Sequence, residues 1–308
     1  MDVLSLIGGY LASDIRMATP ILLAGLGLLL VNRSGLLNIG AEGTMLVAAL
    51  AAVVGSYYSG SVWGGLAVAM LSGAAVGLLF AFLTVTLRAN QIVVGAAINI
   101  LGLGLSATLY RVIFGISTTI VSIDTFRVWR IPFLADITMV GEAFFSHMPM
   151  VYLAFLLVPV ISFYLFKTPS GLNLRAVGEK PEVADTLGVN VYRVQYWASI
   201  AGSTLMAAGG AFLSTGLLRF FAEDMVSGRG FIALAAVIFG KYKPAGIMVA
   251  SLVFMAGNVA ANVFMVAKAN IPYNFLVMLP YILTIIALAM FASRAVAPES
   301  LGKPYKRG

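Results

Sequence analysis

No charged side chain occurs anywhere in residues 62–87, and several other apolar runs approach that length. About 20 apolar residues in a helix cover the ~30 Å of hydrocarbon in a bilayer. Without water, such a chain must satisfy its own backbone hydrogen bonds, which leaves helices or a closed barrel. Barrel strands alternate apolar and polar residues over ~10 positions, and these runs do not alternate. The fold class is therefore all-α, a polytopic transmembrane helical bundle. Charge supports this: 10% of the 308 residues are charged, against about a quarter in soluble domains, too few to coat a water-facing surface.

Spans are expected at 15–31, 45–57, 62–87, 92–114, 151–166, 196–218, 245–266 and 273–291, with a shorter apolar piece at 231–240. With broken helices counted, that is about eight to ten crossings. Residues 1–14 read as an amphipathic or interfacial lead-in. They lack the basic start of a cleaved signal, so the N-terminus is expected to be retained. The organisation is one transmembrane domain over 1–308: a first half 15–114, a segment 115–148 on one side, a loop 167–194 on the other, and a second half 195–293. Lys and Arg gather in cytoplasmic loops, which places Arg88, the 167–194 loop, Lys241, Lys243 and the tail inside. Segment 115–148 and the N-terminus then fall outside, and the net charge of +7 needs no nucleic-acid partner. Segment 115–148 is expected to hold short strands or an interfacial helix. Its aromatics Trp129, Phe133, Phe144 and Phe145 either meet a partner or anchor the interface.

Two stretches interrupt the apolar pattern. Residues 35–43 carry Asn38 and Glu42 and read as an irregular or broken-helix entry into the bilayer, and residues 219–230 carry Glu223, Asp224 and Arg229, expected near the outer interface as a gate or a solvated face. Each precedes a similar Ala/Val/Gly-rich piece, at 45–60 and 230–246, a faint internal repeat of the kind that marks a transporter's central pathway. A carboxylate at the bilayer centre costs on the order of 2.5–3.5 kcal/mol, so Glu42 must be paired or functional, with Arg33 as its candidate partner. Asn38 and Glu42 either belong to the substrate pathway or hydrogen-bond and cap the broken helix itself, and Asn99, Asn258 and Asn262 either line a path for a hydroxyl-rich solute or hold helices together. Asn258 and Asn262 are spaced to share one helical face.

The long charged interruption is 171–188. Within it, residues 181–187 read as a short amphipathic helix, with Pro181 in the first turn, Glu182 and Asp185 toward the positive end of the dipole, and Gly188 as a left-handed cap. A capped, charged helix between spans is a shape another protein can grip, here read as the dock for an ATP-driven motor. The alternative is an ordinary solvated loop. There is no phosphate-binding GxxxxGK[ST] loop, no cysteine and one histidine, His147, read as interfacial without special role. No catalytic residues and no metal site are therefore assigned, and a covalent enzyme is disfavoured.

The stretches SGLLNIGAEGTMLVAA and GLNLRAVGEKPEVADTLGV, with SGRGFIALAAVIFGKYKPAG, resemble the permease subunits of bacterial ABC importers. The matching branch includes ribose, branched-chain amino acid and nucleoside permeases, and the Asn-Ile-Gly-x-Glu-Gly form is similar to its nucleoside type. The resemblance covers roughly 15–295. It implies a nucleoside importer of the cell membrane, with simple sugars or riboflavin as alternative cargo. It further implies a second, homologous permease subunit, a cytoplasmic ATPase that binds ATP and Mg while this chain binds no cofactor, and an outer-face binding protein or lipoprotein. Glu179, Lys180, Pro181, Glu182, Ala184, Asp185 and Gly188 fall on the coupling loop. Asn38, Gly40, Glu42 and Gly43 match the first membrane motif, and Gly228, Arg229 and Gly230 match the second. The loop lacks the Glu-Ala-Ala signature of other importers. From another class, a stand-alone secondary transporter or channel would need no docking helix.

Overall fold

The computed structural model describes residues 3–115, 121–132, 140–266, 278 and 296–306. In chain order its helices are α1 (Val3–Arg33), α2 (Ala41–Ser59), α3 (Val62–Ala81), α4 (Gln91–Phe114), α5 (Val140–Phe145), α6 (Pro149–Lys167), α7 (Pro169–Glu179), α8 (Pro181–Thr186), α9 (Val191–Phe212), α10 (Arg229–Phe239) and α11 (Pro244–Val266). Wider π-helical turns prolong α3 over Phe82–Thr86 and α9 over Leu213–Leu218. Seven of these helices, α1 to α4, α6, α9 and α11, are long and apolar enough to cross a bilayer. At 1.5 Å per residue, the 11 residues of α10 reach about 16 Å, half of the hydrocarbon. The expected span 273–291 lies outside the described residues.

Helices α1, α2 and α9 are largely buried and form the centre, while α3, α4 and α6 turn most of their apolar surface outward. In lipid, helices associate through close packing rather than hydrophobic expulsion. The centre accordingly meets through glycines. A Cβ on Gly27 of α1 would lie 2.3 Å from the Gly202 carbonyl oxygen of α9, so the two backbones touch. Outward side chains such as Ile100, Val112 and Leu71 present the apolar surface that lipid requires.

The expected lead-in at 1–14 is not separate. Helix α1 runs unbroken from Val3 and carries Pro20 within it. The reason is packing: Ala12 and even Asp14 are buried, and the Tyr10 hydroxyl donates to the Ala256 carbonyl of α11 at 2.6 Å. Segment 115–148 contains both expected features, the helix α5 and a two-residue antiparallel pair, β1 (Trp129–Arg130) with β2 (Ser146–His147), in which Trp129 faces His147. Trp129 and Phe144 are exposed, and Phe133 lies outside the described residues. The His147 ring is buried within the protein. Its Nε2–H donates to the Ala143 carbonyl at 2.8 Å. Burial foremost, and the Arg16 charge besides, lowers its pKa, against the Ala143 bond, which raises it.

Contacts between the loops sort them to two ends. At one end lie Arg33 with Tyr242, Arg88 with Tyr192, and the 296–306 segment with Gly178 and Gly35. At the other, Arg111 meets Glu223 and the Ile123 N–H meets the Arg219 carbonyl. The first end holds Arg88, Lys180, Lys241, Lys243, Lys303 and Lys306; the positive-inside bias makes it the end expected in the cytoplasm, and the two ends are named cytoplasmic and outer on that basis.

Candidate functional site

The two interrupted stretches meet inside the bundle, so Arg229, expected near the outer interface, stands instead at the start of α10 beside the start of α2. Residues 34–40 leave α1 and turn back into the bundle, where Asn38 Oδ1 accepts the Gly40 N–H at 2.7 Å. This local Asx turn occupies the buried Asn38 side chain. Helix α2 then starts, and Asn99 of α4 clamps its entry: Asn99 Oδ1 accepts the Gly43 N–H at 2.8 Å, and its Nδ2 donates to the Ile39 carbonyl at 2.9 Å. Both atoms of that amide serve backbone that no helix ladder would satisfy.

Glu42 does the same for the other stretch. Its Oε1 accepts the Gly228 N–H and its Oε2 the Gly230 N–H, each at 2.7 Å. These are orphan donors at the N-terminus of α10, where a carboxylate also meets the positive end of the helix dipole. Glu42 is thus an N-cap supplied by another helix, from the opposite half of the chain. Gly228 takes φ +82, and a Cβ on Gly230 would lie 2.5 Å from the Glu42 nitrogen, so conformation requires the first glycine and close approach the second. The Arg229 guanidinium donates to the Met225 and Val226 carbonyls at 3.1 Å, fixing the loop that delivers those N–H groups.

The expected Arg33 partner for Glu42 is not found. Arg33 Nε and Nη2 donate to the Tyr242 carbonyl at 3.2 and 2.8 Å, and its guanidinium lies 4.0 Å from Glu179. Helix α1 ends at the cytoplasmic surface, whereas Glu42 lies beyond the returning 34–40 stretch. Asn258 is half-buried on α11, where its Nδ2 approaches Met255 Sδ at 4.0 Å. Asn262 is on the same helix, and its side chain lies outside the described residues. The crossing therefore gathers Asn38, Glu42, Asn99 and Gly228–Gly230, but not Asn258. At the outer end, Glu223 receives a two-pronged bond from Arg111, at 2.9 and 3.0 Å.

At the cytoplasmic end, α8 covers Pro181–Thr186, close to the expected 181–187. Pro181 and Ala184 are buried, Ala184 packing with Val177, Val191 and Tyr305. Glu182, Lys180, Val183 and Leu187 face outward, Val183 51% and Leu187 79% exposed. Val183 and Leu187 are one turn apart on one face, an apolar pair beside the acidic Glu182. Gly188 takes φ +86, and the Val189 N–H returns to the Ala184 carbonyl at 3.0 Å, the left-handed stop expected there. Sequence reasoning missed α7. Its signal was Thr168-Pro169: Thr168 Oγ1 accepts the Gly171 N–H at 3.1 Å as an N-cap, with proline at the first helical position. It also missed Ser300 and Tyr305, which nothing in a short charged tail marks out.

Residues 10–288 match the family described as Branched-chain amino acid transport system / permease component. The chain belongs to that family. The permease is 36% identical to the guanosine ABC transporter permease protein NupQ of Bacillus subtilis (strain 168), over 100% of this chain and 99% of that one. It is 34% identical to the nucleoside ABC transporter permease protein NupC of Lactococcus lactis subsp. cremoris (strain MG1363), over 99% of each. It is also 39% identical to the putative glucose ABC transporter permease protein TsgC13 of Haloferax volcanii, over 82% of this chain and 76% of that one. No solved structure matches it. The permease is a multi-pass protein of the bacterial cell membrane, a transporter component rather than an enzyme.

Proposed function

We propose that this permease moves nucleosides into the cell, powered by separate ATPase subunits that grip α8. The observation that carries the cargo is the end-to-end similarity to relatives named for guanosine and for nucleosides. The glucose relative is more similar per residue but over less of the chain, which makes a simple sugar the second reading. The exposed Glu182, Val183 and Leu187 at the basic end support the docking role. In this reading ATP and Mg belong to the motor, and an outer-face binding protein or lipoprotein delivers the solute.

The partner subunit is a second, unlike permease. Three organisms each contribute two permease proteins to the matches, and this chain is closer to one of each pair: 36% against 26%, 34% against 25%, and 39% against 27%. Such a split supports a pore of two different subunits, with this chain as one of them. The crossing at Glu42 frames the solute path at mid-bilayer. Asn38 shapes the entry rather than meeting solute, while the half-buried Glu42, Asn99 and Asn258, together with Asn262, are the path's candidate polar edges.

Uptake of labelled guanosine tests the reading, in cells with and without this chain, with vanadate, and with unlabelled ribose, glucose or riboflavin as competitors. Vanadate-sensitive uptake that depends on the chain and ignores those competitors is expected. Uptake indifferent to vanadate but lost with the ion gradient would overturn the ATP-driven reading. Competition by glucose or ribose would move the cargo to sugars.

A further inference from the structure

Helix α8 packs on α7 and α9, some way from the returning 34–40 stretch that leads to Glu42. A third piece of chain joins the two. The Ser300 N–H and Ser300 Oγ both donate to the Gly178 carbonyl of α7, at 3.0 and 2.6 Å. Two residues on, the Gly302 N–H donates to the Gly35 carbonyl at 3.0 Å. Before them, the Glu299 N–H reaches Glu179 Oε2 at 3.3 Å. After them, Tyr305 is buried against Val177, Ala184 and Val191, its ring centroid 5.7 Å from that of Tyr192.

Three backbones thus converge. A Cβ on Gly178 would lie 2.2 Å from the Arg33 carbonyl oxygen, and one on Gly35 would lie 2.4 Å from Ser300 Oγ. Glycine is needed at both places for α7, the end of α1 and the 299–305 stretch to meet. One end of that stretch holds the underside of α8 through Tyr305 and Ala184. Its middle holds the start of the segment that runs through Asn38 and Gly40 to Glu42, and from there to Gly228 and Gly230.

We infer that residues 299–305 are a strap that positions α8 against the 34–40 stretch and carries the motor's push to the mid-bilayer crossing. Ser300 and Tyr305 are positioning residues for transport: they touch no solute and act through Gly178, Gly35 and Ala184. This inference rests on the reading of α8 as the motor's dock. It goes beyond that reading by naming the route from dock to pathway. Lys303 on the strap and Lys306 just after it stand exposed, at the end where the motor would sit.

The test uses the assembled transporter in proteoliposomes, with Ser300→Ala and Tyr305→Ala combined. Three quantities are read: ATPase retained on the permease, ATP hydrolysed and labelled guanosine taken up. Retention and hydrolysis are expected to persist while guanosine carried per ATP falls on the order of two- to thirtyfold, the range of substitutions along a coupling route. Ser300→Thr with Tyr305→Phe keeps the hydroxyl at 300 and the ring at 305 and is expected to restore the ratio. An unchanged ratio overturns the inference. So does a parallel loss of retention, hydrolysis and uptake, because the stretch would then only hold the dock together.

A second measurement needs no transport. The chain has no cysteine, so spin labels at Thr186→Cys and Lys303→Cys report the distance from α8 to the strap. One narrow distance, the same with and without ATP, is expected of two parts that move as a unit. A distance that broadens or shifts with ATP overturns the strap. Failure of the docking reading has a separate signature: ATPase retention indifferent to Glu182→Lys, whatever the strap variants do.

Discussion

Replacing Glu42 by Gln keeps the length and shape of the side chain but exchanges one carboxylate oxygen for an NH2 group. One of the two 2.7 Å bonds to Gly228 and Gly230 keeps its acceptor. The other N–H then faces a donor. A hydrogen bond to a charged group contributes about 1.5–3 kcal/mol, and an unsatisfied buried N–H costs about 1–3 kcal/mol. Losing the negative charge at a helix N-terminus adds about 0.3–1 kcal/mol. These effects overlap, so the first turn of α10 should open more easily by about 2–4 kcal/mol. At 1.4 kcal/mol per factor of ten, its amides should exchange roughly 30- to 700-fold faster.

Hydrogen–deuterium exchange in detergent, read by mass spectrometry over residues 226–234, measures this directly. Asn99→Ala is the control. It frees the Gly43 N–H and the Ile39 carbonyl, so it should loosen 36–46 and leave 226–234 as before. Two results would refute the reasoning. One is less than about a threefold change at 226–234 in Glu42→Gln, under 1 kcal/mol. The other is an equal change there in Asn99→Ala, which would mean that general loosening and not the missing cap sets the rate.

Gly230→Ala puts a Cβ 2.5 Å from the Glu42 nitrogen and 2.6 Å from its Cα, backbone that cannot step aside, so a loss of about 1–3 kcal/mol is expected, read as a lower thermal midpoint. Leu187→Asp changes a side chain that is 79% exposed. The midpoint should stay within about 0.5 kcal/mol of unaltered while ATPase capture falls. His147 sits below its ordinary value of 6.5 because it is buried; the unfolded segment then binds protons that the folded one refuses. Stability from this site is present above that value and is lost as pH falls below it toward the folded pKa. With Trp63 and Trp197 replaced by Phe, Trp129 fluorescence should change between about pH 7 and 5, and the change should vanish in His147→Gln. Arg111→Ala removes a pair whose side chains are 58% and 46% exposed, and chemical denaturation should register less than about 1 kcal/mol.

Spans were legible because lipid demands uninterrupted apolar residues, and α8 because Pro181 and Gly188 punctuate it with their own backbone preferences. The unusual cost of Glu42 in a bilayer also marked a residue that must be paired, and it is. Its partner was not legible. A carboxylate draws the eye to a nearby cation such as Arg33, whereas its true partners are backbone N–H donors far along the chain, and backbone donors leave no letter in a sequence. Asn99 was hidden for the same reason. The lead-in was misread because Asp14 suggests a surface, and only tertiary packing, with Tyr10 bonded to α11, shows that this end of α1 is buried. Ser300 and Tyr305 act through a carbonyl and a small apolar cluster, neither of which has periodicity.

The energies place the yielding contact of the bundle away from the crossing. Glu42 joins the two halves by two charge-assisted bonds, each contributing about 1.5–3 kcal/mol, so separation there costs several times the ~1 kcal/mol of an ordinary hydrogen bond. The Arg111–Glu223 pair joins α4 to the loop before α10 at the outer surface, where solvent screens it and two long side chains must be held still, so it contributes about 0–1 kcal/mol. A conformational step takes the cheaper route. The start of α2 and the start of α10 should therefore travel together as one body, and the outer ends should part. A push entering through α8, Gly178 and Gly35 would then arrive at a rigid crossing and be passed outward as a tilt, instead of being spent in pulling the crossing apart.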